Sequence, residues 1–195
     1  MTDLKRICVF CGSNTGSRPA YRQAALQLGA LLAKQGLGLV YGGGNVGLMG
    51  VLANAVLEAG GEVIGVIPQS LVDKELAHHG VTQLRVTESM HERKQTMFDL
   101  SDGVMALPGG FGTLDEFFEI VTWLQLGYHA KPVGMLNVEG FWDPMLVTFA
   151  HAVGEGFLRK EHSQMVMVEA APEKLLERFM EYSQPQPGKK WINHR

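Results

Sequence analysis

The chain has 195 residues, 46% of them hydrophobic, and a formal net charge of −3. This length allows one sizeable hydrophobic core but not two ordinary domains, so we predict a single domain over residues 1–182. Acidic and basic residues are interspersed, which argues against a nucleic-acid footprint and against a basic membrane-binding face. We therefore expect a small-molecule partner, with no nucleic acid and no membrane.

Targeting signals are also missing from the sequence. The first ten residues contain one short apolar run, which lacks the length and the cleavage site of a secretory signal peptide. No apolar stretch reaches the roughly 18 residues that a transmembrane helix needs. We expect a cytoplasmic protein.

Short apolar segments alternate with amphipathic segments almost to the end of the chain. This pattern predicts an α/β fold with a mostly parallel sheet of about seven strands and helices on both faces. The predicted strands are Arg6 to Phe10, Gly38 to Tyr41, Glu62 to Ile67, Gln83 to Val86, Gly103 to Ala106, Val133 to Leu136 and Met165 to Val168. The predicted helices are Pro19 to Gln35, Gly47 to Ala59, Met90 to Ser101, Thr113 to Leu126, Phe141 to Glu155 and Pro172 to Tyr182. Residues 183–195, rich in Pro and Gln and then basic, are predicted to form a flexible tail.

The apolar run Ile7 to Cys11, at the first predicted strand, carries Cys8 and Cys11 in a C-x-x-C arrangement. Their odd separation along a strand points the two thiols to opposite faces, and the chain has no second cysteine pair. We therefore expect reduced, buried thiols and no metal site. Gly12 and Ser13 follow this strand, and small residues before a helix suit a phosphate or a ribose.

The second predicted strand ends in Tyr41-Gly-Gly-Gly-Asn-Val-Gly47, which contains G-x-G-x-x-G. A dinucleotide site should also carry an acidic residue at the tip of the next strand, about 20 residues on. That strand, Glu62 to Pro68, has no acid at its tip, and the motif follows the second strand instead of the first. We interpret Gly42 to Asn45 as holding a mononucleotide phosphate. The alternative is tight packing of a helix on a strand without a ligand.

The segment Ser89 to Lys94 predicts a helix start, because Ser89 and Glu92 have the spacing of a capping box. Met90, Arg93 and Met97 share one face of this helix. A guanidinium on an apolar face is costly to bury without a carboxylate or phosphate partner. The alternative is that Arg93 extends along a half-buried helix to solvent. Lys94 lies off that face, and its role stays open.

The most informative segment is Pro108 to Glu116, PGGFGTLDE. Gly109, Gly110 and Gly112 lack Cβ atoms, so the backbone can turn through φ > 0 and bring N–H groups close to a phosphate or sugar. Thr113 is predicted to open a helix. One interpretation of Glu116 is a capping box with Thr113. The other is a functional carboxylate at the carboxyl edge of the sheet, where open α/β folds bind ligands.

Together these motifs resemble the LONELY GUY family, the cytokinin riboside 5'-monophosphate phosphoribohydrolases. The resemblance rests on Gly42-Gly-Gly44, Met90-His-Glu-Arg-Lys94 and PGGFGTLDE. It continues through Thr122-Trp-Leu-Gln-Leu-Gly127, Lys131-Pro-Val-Gly134 and Leu136-Asn-Val138. It covers nearly the whole chain up to the tail. One departure is Asp115, where the family often has Glu, and we interpret it as a tuning change.

The resemblance implies a homodimeric enzyme with a Rossmann-like three-layer fold, which hydrolyses the N-glycosidic bond of a nucleoside 5'-monophosphate. Arg93 and Glu116 would be the catalytic pair, and no metal or other cofactor is implied. The predicted substrate-binding residues include those of the glycine loops. They are Gly12, Ser13, Gly42, Gly43, Gly44, Asn45, Glu75, Met90, Lys94, Gly109, Gly110, Phe111, Gly112, Thr113, Asp115 and Thr122. The helix from Phe117 to Leu126, with two Phe and Trp123, is a plausible dimer face. Alternatively, its aromatic residues belong to the domain's own core.

Two alternatives to the hydrolase come from other function classes. A non-catalytic nucleotide carrier or sensor of the same fold would keep the glycine loops but would not need Arg93 and Glu116 together. A nicotinamide oxidoreductase would need the missing ribose-binding acid. Relatives are often labelled lysine decarboxylases, yet the sequence offers no setting for the Schiff-base lysine and the acid of a pyridoxal site.

Overall fold

The computed structural model describes residues 4–74 and 76–183, and within them seven strands form one sheet. The strands are β1 (Arg6–Phe10), β2 (Gly38–Tyr41), β3 (Val63–Pro68), β4 (Gln83–Thr87), β5 (Gly103–Ala106), β6 (Val133–Leu136) and β7 (Val166–Glu169). Their order is β4-β3-β2-β1-β5-β6-β7, and every neighbouring pair is parallel. The predicted fold class is confirmed, and the described sheet is wholly parallel.

The long helices match the predicted amphipathic segments. They are α1 (Pro19–Lys34), α2 (Gly47–Glu58), α4 (Met90–Asp99), α5 (Phe111–Leu126), α6 (Asp143–Gly154) and α8 (Pro172–Met180). Three shorter pieces were not predicted: α3 (Gln69–Val72), α7 (Lys160–Ser163) and a 3₁₀ turn at Val138–Gly140. Each is about one turn long, too short to show a helical period in the sequence.

The core lies in two layers, one on each face of the sheet. Helices α1, α2 and α8 cover one face with residues such as Leu28, Leu52 and Phe179, while α4 and α5 cover the other with Met97 and Phe117. Cys8 lies in the layer of α4 and α5 and Cys11 in the other, and both are buried and free. The expectation of buried thiols on opposite faces is confirmed.

The strand order places the candidate site. From β1 the chain builds outward to β4 and then returns to β5 on the other side of β1, so the loops after β1 and β5 diverge and leave a crevice at the carboxyl edge. A cleft of about 250 Å³ lies there. Its lining comes from residues 12–16, from Pro108 to Gly110, and from the side chains of Tyr21, Leu48 and Phe141.

Two predictions fall outside the described part of the chain. They are the substrate-binding role of Glu75 and the tail after Ser183. Within the described residues, none of the helices combines the length and the apolar character needed to span a membrane.

Candidate active site

Arg93 and Glu116 form a buried ion pair between α4 and α5. Nη1 of Arg93 donates to Oε1 of Glu116, and the two side chains are only 7% and 10% exposed. The alternative in which Arg93 extends to solvent is therefore wrong. The expected carboxylate partner is Glu116, 23 residues further along the chain.

Backbone carbonyls hold the rest of the Arg93 guanidinium. Nε donates to the carbonyl oxygen of Val66 on β3 at 3.0 Å, and Nη2 donates to that of Gly42, just after β2, at 3.2 Å. With the bond to Glu116, three nitrogens of one planar group point in three fixed directions. A lysine ammonium on a flexible stem cannot reproduce this arrangement.

The carboxylate of Glu116 experiences two opposing effects. Burial raises its pKa above the ordinary value of 4.5, while the positive charge of Arg93 acts to lower it. Arg93 contacts Oε1, and Oε2 makes no hydrogen bond within the described residues. The pair thus presents a carboxylate with one oxygen available to a ligand.

Glu116 does not close a capping box, so that interpretation is wrong. Helix α5 begins at Phe111 with Gly110 as its N-cap, and its first backbone bond runs from the Leu114 N–H to the Gly110 carbonyl at 3.0 Å. Thr113 and Glu116 therefore lie inside the helix. The helix starts early because Gly110 has the extended conformation of an N-cap, with φ −101° and ψ −153°.

The glycines of this loop act by leaving space, and the expected positive φ is absent. Gly109, Gly110 and Gly112 all have negative φ. A Cβ on Gly109 would lie 2.1 Å from Oγ1 of Thr113, whereas one on Gly110 or Gly112 would meet no atom within 4 Å.

The start of α5 has neither a side-chain cap nor an acidic residue in its first turn. Its first backbone N–H groups, which lack partners within the helix, are open to a ligand.

At Ser89 the predicted capping box is half formed. Oγ of Ser89 accepts from the Glu92 N–H at 3.1 Å, as expected. The Glu92 carboxylate, however, accepts from the N–H of Glu88 at 2.7 Å, one residue before the predicted donor.

Lys94 is buried next to the Arg93–Glu116 pair, with its side chain only 10% exposed. Its Nζ lies 3.2 Å from Oδ2 of Asp115 and 3.0 Å from Oε2 of Glu119. Sequence reasoning missed Glu119, although its spacing of four residues from Asp115 places both carboxylates on one side of a helix. Thr122, at the next position on that side, donates from Oγ1 to the Phe118 carbonyl at 2.7 Å.

The loop after β2 packs closely against other parts of the chain. A Cβ on Gly42 would lie 2.0 Å from Nη2 of Arg93. Gly43 has φ +72°, and a Cβ there would lie 2.9 Å from Cβ of Ile67. The N–H of the exposed Asn45 donates to the Leu76 carbonyl at 2.9 Å. The substrate-binding role predicted for Gly42 to Asn45 stays a prediction.

The remaining predicted residues lie in two places. Gly12, Ser13, Gly109 and Gly110 line the cleft at the carboxyl edge, where the Gly12 N–H donates to the Pro108 carbonyl at 3.0 Å. Met90 and Phe111 are solvent-exposed, at 44% and 92%. The exposure of Met90 corrects the prediction of a shared apolar face, because only Arg93, Lys94 and Met97 of α4 are buried.

Comparison with known proteins adds independent information. A family model described as "Possible lysine decarboxylase" matches residues 49–179. A cytokinin riboside 5'-monophosphate phosphoribohydrolase of Oryza sativa subsp. japonica is 46% identical over 179 residues, covering 92% of this chain and 74% of that protein. A second such enzyme, from Arabidopsis thaliana, is 45% identical over 183 residues, which cover 94% of this chain and 84% of that protein. The chain belongs to the LONELY GUY family.

The solved structures extend the fold to more distant proteins. A molybdenum cofactor binding protein of Rippkaea orientalis superposes with a TM-score of 0.69 at 26% identity, over 93% of this chain and 98% of that one. The molybdenum cofactor carrier protein of Chlamydomonas reinhardtii superposes with a TM-score of 0.63 at 21% sequence identity. The superposition covers 91% of this chain and 99% of that one. The LONELY GUY relatives are thus much closer in sequence than these binding and carrier proteins.

Proposed function

We propose that this protein hydrolyses the N-glycosidic bond of N6-modified adenosine 5'-monophosphates, releasing the free base and ribose 5-phosphate. The observation that carries the proposal is the buried Arg93–Glu116 pair, in which Oε2 of Glu116 makes no hydrogen bond within the described residues. Family members named for this activity are 45% and 46% identical to the chain.

Glu116 stabilises the positive charge that develops on the ribose. As the bond between C1' and the base nitrogen breaks, its electron pair leaves with the base and C1' becomes cation-like. A carboxylate held in a largely water-free setting stabilises such a charge without reorganising. Oε2 is the oxygen that can bind the sugar or accept a proton from the attacking water. The water oxygen then bonds to C1', and the departing base takes up a proton.

Arg93 keeps the carboxylate ionised and correctly oriented. Its charge lowers the pKa of Glu116, which burial alone would raise further. The bonds from Arg93 to Val66 and Gly42 fix the guanidinium to β3 and to the end of β2. Rotation of the Glu116 carboxylate is therefore limited by the backbone of the sheet.

The 5'-phosphate binds at the start of α5. A helix N-terminus attracts anions through its free N–H groups and its dipole. The 16-residue α5 has no side-chain cap, and the open positions at Gly110 and Gly112 leave room for phosphate oxygens. The loop after β2 has less room, because Gly42 and Gly43 pack against Arg93 and Ile67.

The active assembly is a homodimer, as the resemblance to the LONELY GUY family implies. Contacts within the chain account for much of the proposed aromatic face, since Phe117 is fully buried and Trp123 packs on Phe98 at a ring distance of 5.4 Å. The apolar surface available to a second copy includes Leu126 and Tyr128, which are 43% and 76% exposed.

The decisive experiment is incubation with AMP and with N6-isopentenyl-AMP, followed by chromatography for the released base, with and without EDTA. Glu116→Gln should abolish base release, and Glu177→Gln, an exposed carboxylate on α8, is the matched control. Failure of the wild-type protein to release base from either nucleotide would contradict the proposal. In that case, nucleotide binding without turnover would favour the carrier, the second function class.

A further inference from the structure

A short segment crosses the loop that follows β2. We call residues 76–78 the strap. Ala77 forms an antiparallel bridge with Gly44. On either side of it, the His78 N–H donates to the Gly43 carbonyl and the Asn45 N–H donates to the Leu76 carbonyl, both at 2.9 Å. The strap therefore fixes the backbone of three consecutive loop residues.

The side chain of His78 anchors the strap. Its Nδ1 accepts from the Gly80 N–H at 3.1 Å, so Nε2 carries the hydrogen and donates to Oδ1 of Asn54 on α2 at 2.9 Å. The residue is only 7% exposed. Burial lowers the pKa of His78, and the neighbouring His79 lowers it further, which favours the neutral ring that this pattern requires.

The fixed loop in turn holds Arg93. The carbonyl of Gly42, one residue before Gly43, accepts from Nη2 of Arg93 at 3.2 Å. Nη1 of the same guanidinium binds Glu116. A continuous set of contacts thus runs from α2 through His78 and the strap to the loop, and from the loop to Arg93. Movement of the strap would displace the Gly42 carbonyl and turn the guanidinium away from Oε1 of Glu116.

We propose that His78 is a positioning residue that holds the strap on the loop after β2 and so orients Arg93 toward Glu116, a role that rests on the proposed function. His78 touches neither Arg93 nor Glu116 in the described contacts, so its effect passes through the backbone of Gly42 and Gly43. A positioning residue of this kind affects the chemical step more than the binding of substrate.

The test compares His78→Ala, His78→Gln and His79→Ala with the wild-type protein. The side-chain amide of Gln carries N–H donors at about the reach of the histidine Nε2, so Gln at position 78 can still donate to Oδ1 of Asn54. His79 is an exposed neighbour on the same segment and serves as the control. Two quantities are measured: kcat and KM for base release, and the hydrogen-exchange rate of the Arg93 Nε–H by NMR. Arg93→Lys assigns that NMR signal.

His78→Ala should lower kcat by about 10-fold to 100-fold with a smaller change in KM, as misplacing a catalytic group does. Exchange of the Arg93 Nε–H should accelerate, His78→Gln should restore most of both values, and His79→Ala should match the wild type. Wild-type kcat and wild-type exchange in His78→Ala would overturn the role. So would equal losses in His78→Ala and His78→Gln.

Two further outcomes can be told apart: a His78→Ala protein that does not fold, and a wild-type protein that releases no base. If His78→Ala does not fold, Asn54→Ala removes the other anchor at an exposed position and is judged by the same kcat and exchange criteria. If the wild-type protein releases no base, the proposed function fails. The exchange rate of the Arg93 Nε–H, which needs no turnover, then decides whether His78 orients Arg93.

Discussion

The guanidinium of Arg93 occupies the position that a side chain on Gly42 would take. Nη2 of Arg93 donates to the Gly42 carbonyl at 3.2 Å, and a Cβ on Gly42 would lie 2.0 Å from that nitrogen. The glycine is therefore required because the guanidinium fills the place where any other side chain would begin. This relationship explains why the loop after β2 matters to the site even before a ligand is considered.

Gly42→Ala should displace the Arg93 guanidinium and lower kcat by about 100-fold, the effect of a small misplacement at a reacting centre. The added methyl should also cost about 1–3 kcal/mol of stability, as overpacking does. Base-release kinetics and thermal unfolding measure the two effects. Gly154→Ala is the control, because a Cβ there meets no atom within 4 Å. An unchanged kcat in Gly42→Ala would show that the placement of Arg93 is not critical.

Arg93 and Glu116 should behave as one unit in mutant kinetics. Glu116→Gln should lower kcat by about 100-fold or more, because it removes a preorganised charge. Arg93→Lys should also inactivate, since one ammonium cannot make bonds to Glu116, Val66 and Gly42 together. The double variant should be little worse than either single one, as is usual for residues that act together. Losses that multiply in the double variant would show that the two residues act separately.

The acid limb of the pH–rate profile should report Glu116. The residue acts ionised, so activity falls as the pH drops through its pKa, which burial raises above 4.5. The negative charge of Asp115 raises this pKa, and the positive charge of Lys94 lowers it. Asp115→Asn should therefore move the acid limb to lower pH.

That experiment measures the pH at which kcat/KM falls on the acid side of the profile. The size of kcat/KM at its maximum does not enter the comparison. Asp99→Asn is the control, because Asp99 is exposed on α4 and pairs with Gln95. A limb that stays in place or moves to higher pH in Asp115→Asn would assign the titration to another group.

A negative charge at the start of α5 should discriminate between nucleotide and nucleoside. The Cβ position of Gly112 is open, and the proposed phosphate lies beside it. Gly112→Asp should raise KM for AMP about tenfold or more relative to Gly112→Asn, because a carboxylate repels the phosphate that the helix N-terminus attracts. The wild-type protein should prefer AMP to adenosine. Equal kcat/KM for AMP and adenosine would place the phosphate elsewhere or make it irrelevant.

Light scattering should give a mass of about twice 21.4 kDa. Leu126→Asp should shift the protein toward the monomer, because an exposed apolar residue at the proposed interface is replaced by a charge that would have to be desolvated on association. Val147→Asp, at another exposed apolar position, tests whether the effect is local. A wild-type mass near 21.4 kDa would refute the dimer.

The start of α5 shows where local sequence signals mislead. Thr113 and Glu116 match a capping box, but Gly110 takes the N-cap position and the helix begins at Phe111. Lys94 shows a second failure, since its burial depends on Asp115 and Glu119 of α5 lying against α4. Helical spacing along α4 alone cannot reveal a partner helix.

The sequence by itself determined the strand and helix order, the parallel sheet and the need of Arg93 for an anionic partner. These follow from local periodicity and from the cost of burying an unpaired guanidinium. Only the tertiary structure decided that the guanidinium also binds Gly42, 51 residues away, and that the His78 N–H donates to the carbonyl of Gly43 in the same loop. Such contacts form where the order of parallel strands brings distant loops to one edge. Their geometry depends on packing across the sheet, which no local pattern in the chain encodes.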